Sequence, residues 1–270
     1  MRIAELEVVE GVAAGVPFVA LPPADPAAPA ALLAGWHLME PPASERALAA
    51  ALPMAGLQAW RVYFGLPLTG ARLPGGGPAE LFRLASEDAV LNVFGPVTDQ
   101  AAGEFPAALA ALRDRLPGAD GPLGVFGGSA GSLVALEVLA RGDADVAAGA
   151  IVSPVAQLAP VIGRNERVYD VTYPWSARSH AVAAHHDYVR RAAELSAPLL
   201  IVAGSADDIA VREPAAALRD RLGDRAELVT IDGMGHEFAE APGLDAAPQT
   251  ADAARVDAAF SAWFGPRLRR

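Results

Sequence analysis

Gly127-Gly128-Ser129-Ala130-Gly131 lies between a short apolar run, Leu123 to Phe126, and an apolar, helix-like segment, Ser132 to Arg141. The stretch reads as a strand, a sharp turn with a serine at its tip, and a helix. Where strand and helix close that tightly, the tip is strained and no room remains for a Cβ two residues to either side. Gly127 and Gly131 meet that demand. A serine held this way can be a nucleophile, so the rest of the chain is read for its partners.

Downstream, Val146 to Val152 is a buried strand, and Pro198 to Gly204 and Glu227 to Ile231 are two more, separated by a helix from Arg212 to Leu222. Thr250 to Phe264 closes the chain as a helix, with Trp263-Phe264 packing on the sheet. Upstream, Ile3 to Val9 and Val16 to Leu21 suggest an antiparallel opening hairpin, and Pro22 to Pro29 is a connector. Ala30 to Gly35 is a strand, Ser44 caps a helix over Glu45 to Leu52, and Leu57 to Phe64 is the next strand. Leu66 to Pro78 reads as a Gly/Pro-rich loop and Asp99 to Leu116 as an amphipathic helix. This alternation predicts an α/β fold: a mostly parallel sheet with helices on both faces and active groups at the carboxyl ends of its strands. The rhythm breaks over residues 154–195, which carry Tyr169, Tyr173, Trp175, Tyr188 and three histidines, and this segment is expected as a small cap on a single domain spanning residues 1–270.

A chain of 270 residues, 53% hydrophobic, can bury one large core. Its net charge of −11 argues against a nucleic-acid groove, since binding phosphates takes clustered cations. The absence of cysteine removes disulfides, thiolate nucleophiles and cysteine metal sites. Glu5, Glu7 and Glu10 follow Arg2 with no apolar run between, and no stretch is long enough to span a bilayer, so a soluble, cytoplasmic protein without a membrane association is expected. Gly75-Gly76-Gly77 is flanked by Pro74 and Pro78 and lacks the residues of a phosphate-binding loop. No cofactor is called for, and His185-His186-Asp187 gives no metal-ligand spacing.

An acid and a histidine do follow the serine, each on a loop after a later strand. Asp207 and Asp208 lie just beyond Leu199 to Gly204, and His236 lies beyond Leu228 to Ile231 in Gly233-Met234-Gly235-His236. In this order of Ser, Asp and His the sequence resembles the α/β-hydrolase superfamily, from the strand before His37 to Trp263-Phe264. The resemblance implies a nucleophile elbow at Ser129 and a base at His236. It favours Asp207 over Asp208, because Gly204-Ser205-Ala206-Asp207 matches the family's G-x-x-D pattern. Serine alone is a weak nucleophile; His236 would take and return its proton while Asp207 fixes the imidazole tautomer. The resemblance also implies an oxyanion hole from the amide of Ala130 and one from the loop holding His37-Leu38-Met39. That loop lacks the family's usual glycine, so both Leu38 and Met39 stand as the second donor, with Met39 preferred. Leu38, Gly128, Tyr173 and Trp175 are the expected pocket residues. The implied activity is hydrolysis of small carboxylic esters, uncharged or moderately apolar; thioesters, peptides, or a non-hydrolytic ligand-binding or lyase role are the alternatives. A dehalogenase would need a carboxylate in place of Ser129.

Overall fold

A computed structural model describes residues 8–269. Its centre is an eight-stranded sheet in the order β1-β2-β4-β3-β5-β6-β7-β8. The strands are β1 (Val9–Ala13), β2 (Val16–Leu21), β3 (Ala31–Trp36), β4 (Ala59–Phe64), β5 (Leu123–Gly128), β6 (Val146–Val152), β7 (Leu199–Gly204) and β8 (Ala226–Ile231). β1 and β2 pair antiparallel, β2 pairs antiparallel with β4, and every pair from β4 through β8 is parallel. Strands β3, β4, β5 and β7 are buried at every position; β3, β5 and β7 therefore read as continuous apolar runs rather than as alternation, whereas β4 also buries Arg61, whose guanidinium donates to the Ala59 carbonyl at 3.1 Å.

The opening hairpin differs from the expected one. Ala14 and Gly15 both have positive φ, 47° and 89°, and form a two-residue turn whose twist matches the flanking strands. That turn sets the register Ala13↔Val16 to Val9↔Ala20, so the first strand is Val9–Ala13. Of the Ile3 to Val9 stretch read as a strand, residues 3–7 lie outside the described residues.

Helices α1 (Glu45–Ala51) and α8 (Ala251–Arg267) cover one face of the sheet, where Leu48, Val256, Phe260 and Phe264 pack on Phe126 and Val202. Helices α3 (Gly95–Arg115), α4 (Ala130–Arg141) and α7 (Ile209–Leu222) cover the other through Phe105, Leu112, Leu133 and Leu218. Trp36, Phe64 and Phe105 meet there with ring centroids 5.2 to 6.2 Å apart, an arrangement that adds about 0.5–1.5 kcal/mol per pair beyond the area buried. Residues 154–195 hold α5 (Leu158–Tyr169) and α6 (Ala177–His185) between β6 and β7. Opposite α5 stands α2 (Gly77–Ala89), followed by one π-helical turn over Val90–Phe94 that leads into α3. Among the described residues no helix is long and apolar enough to cross a membrane.

Candidate active site

Strand order reverses between β3 and β5: the chain runs from β3 outward to β4, but from β5 the other way to β8. Loops leaving adjacent strands at such a point diverge and open a crevice at their carboxyl ends. Ser129 sits there, between β5 and α4, with φ 44° and ψ −117°. Such a backbone costs a non-glycine residue about 1–3 kcal/mol and persists only where its surroundings enforce it. They do so by contact: a Cβ on Gly127 would lie 2.1 Å from the Gly131 carbonyl oxygen, and one on Gly131 would lie 2.2 Å from that of Trp36.

Strands β7 and β8 are neighbours, so their following loops lie side by side. A Cβ on Gly204 would stand 2.0 Å from the Met234 carbonyl oxygen, and the Ala206 amide donates to the same oxygen at 3.0 Å. The Ser153 hydroxyl donates to the His236 carbonyl at 2.8 Å. These contacts bring Ser129, His236 and Asp207 together. His236 Nε2 is 2.9 Å from Ser129 Oγ, and His236 Nδ1 is 3.0 Å from Asp207 Oδ2. The carboxylate can only accept, so Nδ1 carries the proton and Nε2 of the neutral ring faces the hydroxyl as an acceptor. Burial pulls the His236 pKa down. The Asp207 hydrogen bond and the charges of Glu40 and Asp207 outweigh burial and the opposing Arg164, leaving the pKa above the ordinary histidine value. Asp208 is placed differently: its Oδ1 accepts from the Ala210 amide at 2.8 Å as the N-cap of α7 and from Arg167 at 3.3 Å.

The loop after β3 is anchored by His37. Its Nε2 accepts from the Leu66 amide at 3.1 Å, which leaves the proton on Nδ1 to be donated to the Leu38 carbonyl. Burial holds this imidazole neutral, with its pKa down at about 4. The Leu38 amide donates to the Pro42 carbonyl at 3.3 Å, whereas the Met39 amide has no acceptor among the described residues. Met39 lines the same cleft as Ser129 and Ala130. Ala130 is the first residue of α4, where amides lack an intrahelical acceptor.

Sequence reading did not single out Glu40. Its Oε2 accepts from Ser129 Oγ at 3.1 Å and lies 3.8 Å from His236 Nε2. The one signal for it was an acid directly after Met39, before Pro41-Pro42.

The Ser129 cleft shares Met39, Phe94 and Asn165 with a cavity of about 820 Å³ between α2 and α5. Leu81, Phe82, Ala85, Ile162 and Tyr173 line this cavity, and the Tyr173 hydroxyl donates to Asp88 at the end of α2. Three of the expected pocket residues are placed otherwise. Leu38 is fully buried and packs against Gly128, where a Cβ would lie 2.3 Å from Leu38 Cδ1, so both belong to the core beneath the site. Trp175 stands behind Tyr173, stacked on His180 with centroids 4.6 Å apart. His185 and His186 gather with Glu137, their ligand atoms within 4.8 Å of one another. The carboxylate there is already held by Arg191 at 2.8 Å, Arg141 at 3.0 Å and Tyr188 at 3.0 Å, so a cation would meet two guanidinium groups.

No protein-family model matches the sequence, and no curated protein matches it either. Solved structures do. TT1662 from Thermus thermophilus superposes with a TM-score of 0.66 at 21% identity, covering 98% of this chain and 100% of its own. Est1E from Butyrivibrio proteoclasticus gives 0.61 at 16% identity over 97% and 99% of the two chains. A puromycin-hydrolyzing peptidase of Mycobacterium tuberculosis gives 0.67 at 19% identity over 97% of this chain, which spans only 39% of that longer one. What survives at such low identity along nearly the whole chain is the architecture, and by it this protein has the α/β-hydrolase fold.

Proposed function

We propose that the protein is a serine hydrolase acting on carboxylic esters, with Ser129 as nucleophile, His236 as general base and acid, and Asp207 as the group that orients the imidazole. The observation that carries this reading is the unbroken line of hydrogen-bond distances, 2.9 Å from Ser129 Oγ to His236 Nε2 and 3.0 Å from His236 Nδ1 to Asp207, on a turn held in a strained backbone. Ser129 Oγ adds to the ester carbonyl carbon as its proton passes to His236 Nε2. The oxygen made negative is received by the amides of Ala130 and Met39. Collapse breaks the bond to the alcohol oxygen, which leaves with the proton from His236. Water then adds to the acyl carbon, giving a proton to His236, and the acid departs as Ser129 Oγ regains it.

The cavity between α2 and α5 suits the apolar part of such a substrate. Likeness to the puromycin-hydrolyzing peptidase makes amide cleavage the second reading, since the same acyl-transfer steps serve both bonds. Incubation with a fluorophosphonate probe tests the nucleophile: Ser129 is labelled in the native protein and nothing is labelled in Ser129→Ala. A panel of p-nitrophenyl esters, thioesters and anilides assigns the bond. Native protein that stays unlabelled and turns over no member of the panel refutes the hydrolase reading.

A further inference from the structure

Ester hydrolysis by Ser129 gives no role to Glu40, yet the Glu40 carboxylate touches the nucleophile. Its Oε2 is 3.1 Å from Ser129 Oγ and 3.8 Å from His236 Nε2, and its side chain is 40% exposed, within reach of whatever enters the cleft. No arginine among the described residues lies within ion-pair distance of it. Arg164, the cation of the same cleft, donates to Asn165 at 3.3 Å and stands 4.0 Å from Asp208.

Two consequences follow for catalysis. Ser129 has one hydroxyl proton and two acceptors for it, the neutral Nε2 of His236 and the Glu40 carboxylate. A proton given to Glu40 is withheld from the base. In addition, attack on a carbonyl builds negative charge on its oxygen a few ångströms from a carboxylate, and the two charges repel. A positive charge against Glu40 removes both handicaps. Imidazolium at His236 could supply it, but then the ring has no lone pair with which to accept the serine proton. Arg164 lines the cleft but makes no ion pair with Glu40, the carboxylate it approaches being that of Asp208 at 4.0 Å, so the charge is one that a substrate can bring.

We infer that Glu40 selects substrates with a protonated amine next to the scissile carbonyl, as in esters of α-amino acids, a reading that rests on Ser129 being the nucleophile of a hydrolase. In an attacking pose the carbonyl carbon is about 3–3.5 Å from the serine oxygen. An α-ammonium is one carbon removed from that centre, close enough to meet an Oε2 that is itself 3.1 Å from Ser129 Oγ. The ammonium takes Glu40, the serine hydroxyl turns to His236, and an apolar side chain on the α-carbon can enter the adjoining cavity past Met39 and Phe94. His236 responds in the same sense: Glu40 is one of the charges that raise its pKa, against burial and Arg164, so pairing Glu40 with an ammonium releases the imidazole as a base at lower pH.

The test compares phenylalanine ethyl ester with ethyl 3-phenylpropanoate, which differ only in the amine, at about pH 6.5 where the amine is protonated. The native enzyme should prefer the amino ester by at least tenfold in kcat/KM. Glu40→Gln should lower turnover of the amino ester tenfold or more, raise that of the neutral ester, and move the acidic limb of the pH profile for the neutral ester downward. Glu40→Asp, which keeps the charge, should retain a preference of the same sign. Equal kcat/KM for the two esters in the native enzyme, or an equal loss for both in Glu40→Gln, overturns the inference while leaving the hydrolase reading intact. Labelling of Ser129 by the fluorophosphonate without turnover of either ester also overturns it. Absence of both labelling and turnover removes the hydrolase reading and this inference together.

Discussion

Asp207 and Asp208 are adjacent acids with separate tasks. Asp207 is buried and faces His236, whereas Asp208 points its Oδ1 at the Ala210 amide and closes the first turn of α7. Asp207→Asn would offer an amide where the imidazole needs an acceptor and favour the wrong tautomer, so kcat on any ester the enzyme accepts should fall about 10³–10⁴-fold. Asp208→Ala should cost about 1 kcal/mol of stability through the lost cap and change kcat less than threefold. Steady-state kinetics beside urea unfolding of both variants checks the pair; loss of turnover in Asp208→Ala with turnover kept in Asp207→Asn would exchange their roles. Much of this was legible in the sequence, because steric rules name the residues: Gly127 and Gly131 are required wherever a carbonyl stands about 2 Å from a would-be Cβ. Glu40 was not legible in that way. Nothing local distinguishes a loop acid that reaches the nucleophile from one that faces water, since the contact is made across 89 residues of sequence.

At the scale of elements, the parallel strands were readable to within a residue or two, most directly β3, β5 and β7, where burial on both faces gives a continuous apolar run. Helix α2 was not, for a physical reason: none of its residues is fully buried, and extended backbone at Asp88 interrupts it before the π-helical turn at Val90–Phe94. It rests half-covered against the cavity instead of on the sheet, and it starts within Gly75-Gly76-Gly77-Pro78, a stretch that reads as loop. Its position nonetheless decides what the cleft can admit. Ala85 faces the cavity across from Ile162 and Tyr173, and Ala85→Trp would fill much of the space there. In a p-nitrophenyl ester series the substitution should depress kcat/KM for octanoate and longer acyl groups at least tenfold more than for acetate. A uniform loss across the series would place the acyl chain outside this cavity.

For the molecule as a whole, the buried histidines tie stability to pH. Burial holds His37 and His186 neutral, each with a folded-state pKa of about 4 against an ordinary 6.5, although nearby Asp99 and Glu137 pull His186 upward. A depressed folded value means that the unfolded chain binds protons first as pH falls. The contribution of each neutral ring is therefore complete above pH 6.5 and lost progressively down to about 4. Both losses act in the same direction, against a stability of about 5–15 kcal/mol for an ordinary domain. Glu137 extends the loss further. Burial alone would raise its pKa, but hydrogen bonds from Arg191 and Arg141 bring it to about 2, so its stabilisation is complete above 4.5 and fades between there and 2. His236 runs the other way: its raised pKa gives a contribution present below the ordinary histidine value and lost as pH rises through the folded one, which offsets part of the first effect. The midpoint of urea unfolding should thus fall steeply between pH 6.5 and 4. His186→Leu removes a buried ring whose Nε2 has no hydrogen-bond partner, and it should roughly halve that slope. An unchanged slope in His186→Leu would mean that the ring is protonated in the folded protein, with Asp99, 4.0 Å from its Nε2, as the balancing charge.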